Sequence, residues 1–120
     1  QIKVLNPWLY VAMVRSDQKA AADAKFQSTP SQKPDTRDSV DNLLAFLMGA
    51  ISEADLIKAI DVKDQERTKA QTCEAHFFIG EKALIAGDNA TATQNFQQAL
   101  NTNMKNLSAY RGAQYALKKF

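Results

Sequence analysis

Residues 75–100 read AHFFIGEKALIAGDNATATQNFQQAL, and two helical patterns meet there at Gly87-Asp88. Before the break, Ala75, Ile79, Ala83 and Ala86 share one helical stripe, and Cys73, Phe77, Gly80 and Leu84 share a second. After it, Ala92, Phe96, Ala99 and Leu100 recur with helical spacing. Gly87 suits the left-handed residue that ends a helix, and Asp88 suits the cap of the next. The stretch predicts an antiparallel helix pair whose backbones approach closely at Gly80, Ala92 and Ala99, with Phe96 filling the space between.

Working outward, the same grammar recurs in weaker form. Ser28 to Arg37, STPSQKPDTR, cannot continue a helix and reads as a long loop between helices, with a domain linker as the sharper alternative. Before it, Asn6-Pro7 reads as an N-cap followed by proline at the first helical position. A helix over 8–15 and an alanine-rich helix over 18–27 then follow. Ser16 stands where Gly87 stands, and Ala21 where Ala92 stands. After the loop, Asp38 caps a helix with Val40, Leu43, Leu44 and Leu47 on one stripe, ending at Gly49. Ser52 to Asp55 is a capping-box start for a short helix, with Ala54 five residues after Gly49, as Ala92 is five after Gly87. Asp61 to Thr68 is charged and leads into the long helix ending at Ala86. A last amphipathic helix carries Leu107, Tyr110, Ala113, Leu117 and Phe120.

Composition agrees with an all-helical chain. Of 120 residues only four are glycine and three proline, and no window alternates as a strand does. Fifteen basic and thirteen acidic residues give a net charge of +2, too balanced for a nucleic-acid footprint. No apolar run approaches the ~18 residues that span a membrane.

Residues Ile79-Gly80, Ala83, Gly87-Asp88, Ala92, Phe96 and Ala99 resemble a tetratricopeptide repeat, a helix–turn–helix unit of about 34 residues. The resemblance departs at His76, where that family often has a large aromatic, and at Ala83, where it often has tyrosine. It implies a single domain over 1–120, a solenoid of three degenerate helix pairs at about 7–27, 38–60 and 65–101 with a capping helix at about 107–119. Its structural core would be Gly80, Ala83, Gly87, Ala92, Phe96 and Ala99. Trp8-Leu9-Tyr10, Gly49-Ala50-Ile51-Ser52-Glu53, Gly80, Gly87-Asp88 with Ala92, and Asn106 together resemble the C-terminal part of NlpI-type bacterial lipoproteins. That likeness implies a scaffold for protein partners in the periplasm or cell envelope, with homodimers common, and a chain continuing ahead of Gln1. A cytoplasmic setting is the alternative.

The chemistry points the same way. Cys73 and His76 could reach one metal ion, but two ligands do not make a site, and one helix supplies no oxyanion hole. No glycine-rich phosphate loop is present. No cofactor and no enzymatic role are expected. A protein or peptide partner is expected on the inward face of the long helix, at Glu74, Phe77, Glu81, Leu84 and Ile85. An acidic, apolar groove of that kind would prefer an apolar segment with a basic residue. Ile2, Val4, Leu5 and Trp8 precede any hairpin that could cover them and suggest a homodimer contact. Two other readings stand: a regulatory domain enclosing a small apolar molecule among Phe46, Phe77 and Phe78, and a structural end-piece of a longer solenoid.

Overall fold

The computed structural model describes residues 2–120, and every regular element among them is helical. Seven α-helices run α1 Asn6–Arg15, α2 Lys19–Lys25, α3 Ser39–Leu47, α4 Glu53–Lys58, α5 Gln65–Ile85, α6 Asn89–Asn101 and α7 Ser108–Leu117, with 3-10 turns at Lys3–Leu5 and Pro34–Thr36. The chain divides into two compact units, Gln1–Ala59 and Ile60–Phe120. The division falls at 59–60, so the 28–37 segment lies inside the first unit.

In the second unit α5 packs on α6, and α7 packs on both. Contacts pair residues before the turn with residues after it, as in an antiparallel hairpin. Gly80 meets Phe96, His76 meets Asn95, and Cys73 meets Thr102. A Cβ built on Gly80 would lie 2.6 Å from the Phe96 ring, far inside van der Waals contact, so a hydrogen is the only side chain that fits. Phe96, Ala92 and Ala99 are wholly buried, and Phe96 tilts against Phe77 with ring centroids 5.9 Å apart. On α7 the buried line is Ala109, Ala113 and Ala116, whereas Tyr110 and Leu117 are half-buried and Phe120 is exposed. The expected stripe of larger side chains is therefore displaced to the edge of the contact. Three alanines let α7 sit closer than leucine and phenylalanine would allow.

In the first unit α1 packs on α2 and α3, and α3 packs on α4. The 3-10 turn runs straight into α1, so Leu5, already right-handed, is the N-cap and Asn6 is the first helical residue rather than the cap. Five consecutive residues of α3, Leu43 to Leu47, are buried, so this helix is covered nearly all round rather than on one stripe. Its start is a complete capping box of Asp38 and Asp41, and α4 starts with a second one, Ser52 and Asp55.

Three helices end the same way. Asp17, Gly49 and Gly87 each take a positive φ, 62°, 83° and 83°. Each donates its N–H to a carbonyl three back, and the next residue donates five back: Gln18 to Met13 at 2.8 Å, Ala50 to Ala45 at 2.8 Å, Asp88 to Ala83 at 2.9 Å. This is the Schellman geometry, which satisfies carbonyls orphaned at a helix end. In the first hairpin the turn residue is Asp17, not Ser16, and the register moves by one: Ala22 is buried and Ala21 exposed. The shift aligns Ala22 and Phe26 with Ala92 and Phe96, since all four are buried and stand at the same offsets from their turns. The middle hairpin departs. Its second helix is capped by Ser52, three residues after Gly49, whereas Asp88 immediately follows Gly87. Ala54 is consequently exposed and Leu56 makes the buried contact.

We predict that Gly80→Ala destabilises by roughly 1–3 kcal/mol through overpacking, and Phe96→Ala by roughly 3–5 kcal/mol. Combining Gly80→Ala with Phe96→Leu should cost less than the sum of the two single changes, because the smaller side chain vacates the overlap. Additive losses in denaturant melts would show that the two residues do not share the space.

Candidate protein-binding surfaces

The long helix sorts the five expected groove residues into two groups. Phe77 is 3% exposed and stacks edge-on against Phe78 at 5.0 Å, so it belongs to the core of its unit. Glu81 is 5% exposed. Neither presents an accessible group, and the expectation of a surface groove built on Phe77 and Glu81 is corrected accordingly. The periodicity was that of a helix with two covered stripes. Glu74 and Leu84 are half-buried and Ile85 is 42% exposed, so these three form what remains of that face. Burial pushes the Glu74 carboxyl above its ordinary range. Of the structural residues on α5, Gly80 is buried and Ala83 half-buried.

Cys73 and His76 point to different partners across the hairpin. The Asn95 amide nitrogen donates to the Thr91 carbonyl at 2.9 Å, which turns its oxygen toward His76 Nδ1 at 2.9 Å. That oxygen only accepts, so it is the Nδ1–H tautomer that makes this bond. Cys73 is fully buried; burial raises its thiol above the ordinary value, and the Thr102 hydroxyl opposes that shift. The two side chains thus brace α5 against α6 at separate levels and do not form a pair. Among the described residues no group of three or more His, Cys, Asp or Glu is placed to hold a metal ion. Phe46, Phe77 and Phe78, the rings weighed as a lining for a small molecule, are all buried.

In the first unit one carboxylate organises the N-terminal surface. Asp41 is 7% exposed, and its Oδ2 accepts from Lys3 Nζ at 3.1 Å, Gln32 Nε2 at 3.3 Å and the Asp38 N–H at 3.3 Å. Lys3 also donates to Asp38 at 2.7 Å, and these two carboxylates hold its ammonium above the ordinary value. The 28–37 segment is tied down further by Arg37, which donates to the carbonyls of Thr29 and Pro30. With Lys3 clasped, its neighbours Ile2, Val4 and Leu5 stand about half to two-thirds exposed. Nearby, Tyr10 donates to Asp23 at 2.6 Å; burial and then that carboxylate push the phenol well above its ordinary pKa.

Sequence reasoning missed the Asp41 clasp, since nothing local joins residues 3, 32 and 41. It also missed Ala22-Phe26, whose signal, an alanine followed four residues later by phenylalanine as in 92–96, was present. No helix among the described residues is long and apolar enough to cross a membrane. No protein-family model matches this chain, and no solved structure matches it.

We predict that Asp41→Ala costs roughly 1–2 kcal/mol, for the loss of a capping-box acceptor and of partly exposed hydrogen bonds, and speeds proteolytic nicking within 28–37. Cleavage mapped by mass spectrometry at parental rates would show that the loop is held by other means.

Proposed function

We propose that this chain is a protein-interaction scaffold of tetratricopeptide-repeat type and not an enzyme. The observation that carries the reading is the recurrence of one turn. Positions 17, 49 and 87 share it, in steps of 32 and 38 residues around the ~34-residue period of that repeat. The buried alanine and phenylalanine five and nine residues after the first and last turns support it further. So does Gly80 beneath Phe96, a close approach that a helix pair of this type uses. Under the same proposal α7 is the capping helix. The likeness to NlpI-type lipoproteins adds a periplasmic or cell-envelope setting to the proposal. The accessible part of the α5 face, Glu74, Leu84 and Ile85, is the proposed peptide-contacting surface.

The experiment is capture by the immobilised full chain, with retained molecules identified by mass spectrometry. A defined polypeptide should be retained, and Ile85→Arg should abolish retention with the melting temperature unchanged, because Ile85 is exposed. Retention of a small molecule, with a raised melting temperature and no polypeptide, would support the ligand-binding alternative instead.

A homodimer through the N-terminal end is the second part of the proposal, favoured by the exposure of Ile2, Val4 and Leu5 beside the fixed Lys3. Leu5→Glu should shift light-scattering mass from dimer to monomer. A parent chain that is already monomeric at high concentration removes this part.

A further inference from the structure

The basic and acidic residues are balanced over the whole chain but not along it. After Asp88 there is no aspartate or glutamate, while Lys105, Arg111, Lys118 and Lys119 follow. All four are exposed, and among the described residues none is ion-paired. Three of them lie on α7 or its end. The side of α7 away from the Ala109, Ala113 and Ala116 contact presents Arg111 and Tyr115, and Lys118, Lys119 and Phe120 follow at and just beyond the helix end.

Two of these cations are positioned by uncharged groups. Arg111 donates to the Asn106 carbonyl at 3.0 Å and to Ser108 Oγ at 3.4 Å. Lys119 Nζ lies 4.5 Å from the centre of the Tyr115 ring. Each is held in place while its charge stays uncompensated, which lowers the ordering cost of an anionic partner. Tyr115 at 65% and Phe120 at 53% exposed are large apolar surfaces beside those charges. Tyrosine and arginine are the residue types enriched at the anchors of protein interfaces, and the lysines add the local sign.

We propose that this face of α7 docks an acidic amphipathic segment of a partner protein. Carboxylates of the segment would meet Arg111, Lys118 and Lys119, and an apolar side chain would rest on Tyr115 and Phe120. The sign is the reverse of that expected from Glu81, which is buried. Four cations are too few for a tight grip on a phosphate backbone at physiological salt, and two rings give little to insert into a bilayer. A polypeptide is therefore the occupant, and to that extent the inference rests on the scaffold reading.

The test uses the full chain and a synthetic helical peptide with glutamates flanking a leucine stripe, beside its Glu→Gln counterpart, phosphatidylglycerol vesicles and duplex DNA. The glutamate peptide should bind, bind more weakly as salt rises, and lose about tenfold or more in affinity with K118E/K119E, and again with Tyr115→Ala. The melting temperature should not change, because these side chains are exposed. Equal binding of the glutamine peptide, indifference to these variants, no binding, or preference for vesicles or DNA would each overturn the proposal. Capture of a polypeptide that depends on Ile85 but ignores α7 would overturn it while leaving the scaffold reading in place; no polypeptide at either face would remove both.

Discussion

Where α5 crosses α6, Gly80 lies against the Phe96 ring with no room for a Cβ. A buried phenylalanine contributes a large apolar surface, but only if something facing it is small enough to let the backbones close. Much else in the second unit follows from that approach. Ala92 and Ala99 flank Phe96 on α6 and are wholly buried, Phe77 leans on the same ring, and His76 and Cys73 reach polar partners across the hairpin. The alanine line of α7 extends the same principle of close approach by small residues to the next helix.

The helical fold was legible because helices announce themselves locally. Capping pairs such as Asp38 with Asp41 and Ser52 with Asp55 are three residues apart, and Gly49 and Gly87 are where a left-handed residue is least costly. Asp17 was less legible as a turn, since aspartate enters that region less readily than glycine. Misplacing it by one residue moved the buried alanine from Ala22 to Ala21. The candidate site was less legible. On α5 two apolar stripes ran side by side, and a one-dimensional pattern does not say that both are covered. Phe77 and Glu81 sit on the covered part. The Asp41 clasp depends on residues nine and thirty-eight positions away, distances at which no sequence periodicity operates.

Charge changes meaning once burial is known. A net charge of +2 describes the chain as a whole, yet its ionic character is regional. Around the start of α5 acidic and basic side chains mix, as in the Asp61–Arg67 pair. Beyond Asp88 only cations remain. Exposed charges far apart are screened from one another, so a partner senses the local sign.

The tight turn at Gly87-Asp88 also bears on how the chain acquires its structure. It joins the two most extensively packed helices of the second unit with almost no intervening loop, so closing that hairpin costs little chain entropy. Contacts among sequence neighbours raise folding rates toward those of small helical bundles. Such a hairpin suits a nucleus, with Gly80 and Phe96 meeting early and α7 condensing onto it afterwards. The first unit closes its clasp only when residues 3, 32 and 41 come together, a slower search over a longer stretch of chain. The first unit has an equally short turn at Asp17, so its long-range step is the clasp and not its first hairpin.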